Sequence, residues 1–153
     1  MSSEKVDEFR MNQKFISMYM TIADTVAQQS YAKRLKVGAI VVKEDRVISI
    51  GYNGTPAGWD NCCEEVIEQH EDGGQVTKTK DEVIHAEANA VAKLAKSSES
   101  GLDSTMFITH APCIHCAKVI YGAGIKEVFY RNKYRDDEGL NFLNKCNIKT
   151  EQV

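Results

Sequence analysis

Two short motifs, His85-Ala86-Glu87 and Pro112-Cys113-Ile114-His115-Cys116, each stand where a helical pattern begins, and this pairing constrains the fold more than any other feature of the chain. His85 directly precedes the alanine-rich run of residues 86–95, which has high helix propensity, and the turn-forming residues 97–101 end it. Cys113 opens a second helical pattern that reaches residue 123 and is closed by Gly124. Residues 105–109 read as a strand before that helix, and residues 126–130 read as another after it. Strand, helix, strand implies a parallel pair joined by a right-handed crossover, with both motifs at helix N-termini.

The rest of the chain supplies partners for that unit. Phe15, Tyr19, Ile22 and Val26 recur at steps of three and four, so residues 11–29 predict a first helix. The β-branched runs at residues 37–42 and 46–52, joined by the polar turn at residues 43–45, predict a hairpin. Residues 53–81, rich in glycine and acidic side chains, are expected to form a long loop with one short helix around residues 63–69. Loops of that length usually serve function. A last helical pattern at residues 137–144 can cover the same sheet. The expected product is an α/β sandwich of mixed strand direction, folded as one domain over residues 1–153.

Composition narrows the class of ligand. With 19 basic and 22 acidic side chains the net charge is −3, which gives no general attraction to a phosphate backbone and favours a small substrate over nucleic acid. The longest nearly uncharged stretch, residues 15–29, contains Asp24 and is amphipathic, so no membrane attachment is expected. The start, Met1 to Glu4, does not read as a secretory signal. The five cysteines are odd in number and two of them form C-x-x-C, which points to a reducing cytoplasm and to metal binding.

Cys113 and Cys116, three residues apart, share one helix face, so both sulfurs can reach a single ion. His85 is the natural third ligand for Zn²⁺, and three protein ligands leave the fourth tetrahedral position open, as catalytic zinc sites require. Two thiolates and a neutral imidazole bring the centre close to zero charge, so the metal acidifies water less than an all-histidine site does. A nearby proton acceptor is therefore needed. Glu87, two residues from His85 in the first helical turn, can supply it without ligating the metal. The alternative is a structural zinc knuckle closed by His110, His115, Cys62 or Cys63, or a redox C-x-x-C, although the latter explains neither His85 nor Glu87.

His-x-Glu with Pro-Cys-x-x-Cys is the general signature of zinc nucleobase deaminases. Beyond it, Val37-Gly-Ala39, Gly51-Tyr-Asn-Gly-Thr-Pro-Ala-Gly58, His85-Ala-Glu-Ala-Asn-Ala90, Pro112-Cys-Ile-His-Cys-Ala-Lys118, Ala123-Gly-Ile-Lys-Glu-Val128 and Lys133-Tyr134 resemble the deoxycytidylate deaminases of the cytidine deaminase-like superfamily, particularly the phage and bacterial forms. The resemblance implies a three-layer α/β/α fold on a five-stranded mixed sheet. It also implies hydrolysis of dCMP to dUMP and ammonia, which supplies thymidylate synthesis. In that chemistry Glu87 takes a proton from the attacking water and passes protons to ring N3 and to the leaving amine. The resemblance further implies homo-oligomers, commonly hexamers, activation by dCTP with Mg²⁺ and inhibition by dTTP, with Gly54 and Asp60 as candidate effector contacts.

For the substrate, the amide of Asn53 suits a sugar hydroxyl, and Lys33 and Arg34 suit the 5′-phosphate. Tyr134 is a candidate to close the pocket with its ring and hydroxyl, and Ala86 and Thr109, beside the two motifs, complete the candidate contacts. Cys62, Cys63 and His70 form a candidate second metal site of irregular spacing, set against ordinary thiols and a loop histidine. Trp59 is a candidate stacking residue, set against plain packing. The nearest rival is a tRNA adenosine deaminase, whose expected basic surface is missing. A rival of another kind is a zinc-binding interaction module without catalysis.

Overall fold

The computed structural model describes residues 11–153. In chain order its elements are α1 (Gln13–Ala27), β1 (Gly38–Lys43), β2 (Arg46–Tyr52), β3 (Glu64–Gln69), β4 (Gln75–Thr79), α2 (Ala86–Ala95), β5 (Thr105–His110), α3 (Ile114–Gly122), β6 (Glu127–Asn132), α4 (Glu138–Lys145) and β7 (Lys149–Gln152). β1 and β5 are buried along almost their whole length, as strands covered on both faces must be. They lie inside a five-stranded sheet of order β2-β1-β5-β6-β7. β2 and β5 run antiparallel to β1, whereas β5, β6 and β7 run parallel, with α3 and α4 as the crossovers.

Alternation along the strands divides the core into two layers. Ile40, Phe107 and Phe129 face α1, where Ile16, Tyr19, Met20 and Ala23 meet them. Ala39, Val41, Met106 and Ile108 face the opposite side, where residues from α2, α3 and α4 pack. The result is the expected α/β/α sandwich. The N-cap of α1 is Asn12, whose side chain accepts the Lys14 N–H at 2.9 Å.

Glycine sets the distance between α2 and the sheet. A Cβ on Gly51 of β2 would lie 2.3 Å from the Ala86 carbonyl oxygen and 2.5 Å from the Ala90 nitrogen, both backbone atoms of α2. The contact is reinforced by Ser49 Oγ donating to the Ala90 carbonyl (2.6 Å) and Asn89 Nδ2 to the Tyr52 carbonyl (2.9 Å). Gly51→Ala therefore forces the helix off its strand. The expected loss is about 3 kcal/mol of stability, read as a fall of roughly 10 °C in Tm by calorimetry. An unchanged Tm would contradict this packing.

Three strands, β3, β4 and β7, depart from the sequence reading. The short helix expected around residues 63–69 is instead strand β3, paired antiparallel with β4 as a separate two-stranded sheet. Adjacent β-branched Val66 and Ile67 favour extended backbone. Residues 70–74 then close the hairpin, with His70 N–H donating to the Gly74 carbonyl at 2.7 Å and Gly73 at φ +89°. β7 was not marked by any apolar alternation and is held by parallel pairing with β6. Met1 to Glu4, read as lacking a secretory signal, lie outside the described residues. Among the described residues no helix is long and apolar enough to cross a membrane.

Candidate active site

The two motifs converge because each metal-ligating residue that precedes a helix is that helix's N-cap. His85 caps α2 in an extended conformation (φ −67°, ψ 153°) and Cys113 caps α3 likewise (φ −69°, ψ 168°). Extended backbone at the cap turns the side chain back across the helix start, where free N–H groups and the helix dipole favour negative charge. Cys113 Sγ also does the work of a capping oxygen, accepting the Cys116 N–H at 3.5 Å.

His85 Nδ1 lies 3.2 Å from Cys116 Sγ and 3.6 Å from Cys113 Sγ, and the three donor atoms all fall within 4.8 Å of one another. Tetrahedral Zn²⁺, with zinc–sulfur bonds of about 2.3 Å and zinc–nitrogen bonds of about 2.0 Å, places its nitrogen and sulfur ligands about 3.5 Å apart. The donor set therefore fits zinc as it stands. Among the described residues these three form the one His, Cys, Asp or Glu cluster able to hold a metal. Among the described residues no fourth His, Cys, Asp or Glu joins them. His110 Nδ1 is paired with Thr109 Oγ1 at 3.0 Å, Cys62 Sγ points to the Glu64 carbonyl and Cys63 Sγ to the Asn61 carbonyl. His70 faces Glu68, so the candidate second metal site is not assembled.

The charges at the centre depend on one another. In the metal-free protein a hydrogen bond from the Cys116 thiol, joined by His85, lowers the Cys113 thiol to about 3, while that same hydrogen bond and burial push the Cys116 thiol up. His85 is raised chiefly by its hydrogen bond with Cys113. Glu87, only 4% exposed, is raised by burial, partly offset by its own backbone N–H and by Cys116. A carboxyl biased towards protonation beside a metal-ligand cluster is suited to taking and returning protons.

Glu87 and His85 line a cavity of about 650 Å³. Of the expected substrate contacts, Asn53, Arg34, Ala86 and Tyr134 line it too. Lys33 and Thr109 are not in its wall. Lys33 is held by its backbone to Glu64, and Thr109 is 4% exposed, with Oγ1 accepting the Gly38 N–H at 3.2 Å. Asn53 already has work inside the protein: Oδ1 accepts the Val37 N–H and Nδ2 donates to the Leu35 carbonyl, each at 2.8 Å. That leaves one donor and one acceptor site of its amide for a ligand.

The sequence reading missed Glu64 and Lys78 of the hairpin as lining residues, named His110 and His115 only as alternative closing ligands of a zinc knuckle, and did not name Arg135. The last three had a local signal in their closeness to Cys113 and Tyr134, whereas the hairpin pair had none. Gly54 borders a second cavity of about 230 Å³ that includes Tyr52, Asn61 and Lys93. Asp60 is exposed, and its carboxylate accepts the Cys62 N–H at 3.0 Å.

Residues 13–132 match the cytidine and deoxycytidylate deaminase zinc-binding region. The deoxycytidylate deaminase of Enterobacteria phage T4 is 34% identical over 151 residues, covering 77% of this chain and 78% of the relative. The human deoxycytidylate deaminase is 37% identical over 123 residues, covering 78% of this chain and 66% of the relative. Among solved structures, the dCMP deaminase of cyanophage S-TIM5 in complex with dCMP and dUMP superposes with a TM-score of 0.83 at 43% identity, covering 94% of this chain and all of that one. The His, Cys, Cys and Glu geometry and these relationships have one explanation: the chain belongs to the zinc-binding cytidine and deoxycytidylate deaminase family.

Proposed function

We propose that this chain hydrolyses dCMP to dUMP and ammonia, with Glu87 as the catalytic proton carrier and His85, Cys113 and Cys116 as the zinc ligands. The observation that carries the reading is a buried carboxyl at the wall of a nucleotide-sized cavity, two residues from a three-donor zinc centre. Zinc held there supplies the Lewis acidity that makes water a competent nucleophile near neutral pH. Glu87 accepts a proton from the water that attacks C4 and delivers it to ring N3. It then carries the second water proton to the exocyclic amine, which leaves as ammonia and restores the carboxylate. Arg34, in the cavity wall, faces the 5′-phosphate, with Lys33 adding charge behind it. Asn53 offers its remaining amide valences to the sugar, Ala86 shapes the base end, Thr109 supports the lining residue His110 from behind, and Tyr134 closes the pocket.

The dCMP assignment follows the relatives, and the net charge of −3 weighs against a tRNA substrate. Ammonia release from free dCMP, CMP, deoxycytidine and an anticodon stem-loop separates the readings. Turnover should be fastest with dCMP and absent with the RNA. The reverse order would overturn the substrate.

Regulation belongs to the same proposal: dCTP with Mg²⁺ activates and dTTP inhibits a homo-oligomer, a hexamer, through the smaller cavity beside Gly54, with Asp60 at its approach. The chain acts as one domain in the cytoplasm, a host's cytoplasm if a phage encodes it. Titrating both nucleotides against dCMP turnover while following particle mass checks the regulatory part, which fails if neither nucleotide alters the rate.

A further inference from the structure

Arg34 lies between α1 and β1, in a stretch that no helix or strand ladder holds. Two side chains from elsewhere hold it instead. Asn53 fixes the backbone at Leu35 and Val37, as described above. One position earlier, Glu64 Oε1 accepts the N–H groups of both Lys33 (2.7 Å) and Arg34 (3.0 Å). The Arg34 guanidinium completes the link by donating from Nη1 to the Thr77 carbonyl of β4 at 3.0 Å.

Glu64 is the first residue of β3 and the one half-buried residue in a strand that is otherwise exposed. Hydrogen bonds to an ionised carboxylate are about twice as strong as neutral ones. An isolated two-stranded hairpin is marginal in water. The contact therefore ties hairpin and irregular stretch to each other where both enter the cavity wall, Glu64 and Arg34 lining the same space as Glu87. Among the described residues Arg34 uses one of its five N–H donors, on Thr77, which orients the guanidinium while its other donors suit a ligand.

We infer that Glu64 is a positioning residue for substrate binding: it holds the backbone of residues 33–34 so that the Arg34 guanidinium presents its fork to the substrate's phosphate. This rests on the reading above that Arg34 faces that phosphate. A carboxylate in a phosphate-binding wall would otherwise repel the ligand. Here its charge is directed at two backbone N–H groups. Because Asn53 anchors the neighbouring residues independently, loss of Glu64 loosens the arginine without removing the whole stretch.

The test is a double-mutant cycle on dCMP turnover by the zinc-loaded full chain, with Glu64→Ala, Arg34→Ala and the pair. Glu64→Ala should raise KM about tenfold with kcat kept within about twofold, the scale of losing hydrogen bonds to a charged group. Glu64→Gln keeps an acceptor oxygen and should recover most of the loss. Adding Glu64→Ala to Arg34→Ala should raise KM less than about twofold further, since a residue acting through Arg34 has nothing left to position. Multiplicative effects in the pair, or a fall in kcat alone, would overturn the inference. If Arg34→Ala raises KM and Glu64→Ala does not, the inference fails while the phosphate reading stands. If Arg34→Ala leaves KM unchanged, the phosphate reading itself fails. Should Glu64→Ala not fold, Glu64→Asp, which withdraws the carboxylate by one methylene, enters the same cycle in its place.

Discussion

Replacing Glu87 by glutamine is expected to lower kcat for deamination by at least about 10³-fold while zinc stays bound. A positioned acid–base group usually contributes about 10²- to 10⁴-fold. The upper part of that range applies because one carboxyl serves water, ring nitrogen and leaving amine in turn. The amide keeps the shape of the side chain in a site that is 4% exposed, so the cavity and the three ligands stay in place. Stability should hold or rise, because burial disfavours the carboxylate and a neutral amide escapes that cost. Steady-state ammonia release, metal analysis and calorimetry on the same preparation check all three expectations. Activity within tenfold of the parent would remove Glu87 from the mechanism.

The second large effect is expected from Cys116→Ala. Cys116 is 3% exposed and its sulfur lies 3.2 Å from His85 Nδ1, so its loss removes one of three donors from the interior of the site. Zinc affinity should fall by more than the roughly 10- to 100-fold that follows loss of a partner one bond further out. Activity should vanish with the metal. It also removes the hydrogen bond that chiefly keeps Cys113 ionised in the metal-free protein. Cys146→Ala, at the C-cap of α4 and outside the ligand cluster, serves as the comparison and should keep its zinc. Metal analysis after gel filtration distinguishes the two, and a Cys116→Ala variant that retained zinc would refute the assigned ligand set.

Periodicity made most of the sandwich legible. Phe15, Tyr19, Ile22 and Val26 marked α1, β-branched runs marked β1 and β2, and the alanine-rich segment marked α2. The same rules could not mark β3, β4 and β7. The hairpin shows most of its side chains to solvent, so burial imposes no apolar alternation on it. β7 reads Lys149-Thr150-Glu151-Gln152 and owes its place to backbone pairing with β6. Ordinary cap signals were missing at α2 and α3 because the cap positions are occupied by His85 and Cys113.

The chemistry of the site was more legible than its support. A donor set at fixed spacing carries its own geometry, so two motifs were enough to bring His85, Cys113 and Cys116 together with Glu87 nearby. Glu64 meets Arg34 across 30 residues of sequence, and no local pattern announces such a contact. Asn53 shows the same limit in another form. Its amide suits a sugar hydroxyl or a peptide group equally well, and only the fold reveals that Val37 and Leu35 have already claimed half of it.

The central claim is that zinc on His85, Cys113 and Cys116 makes this chain a dCMP deaminase. The most direct measurement is dUMP formation from dCMP by protein stripped with a chelator and then titrated with Zn²⁺. Turnover should be negligible without metal and recover linearly up to a break at one zinc per chain. Full turnover by the stripped protein, or no turnover at full zinc occupancy, would contradict it.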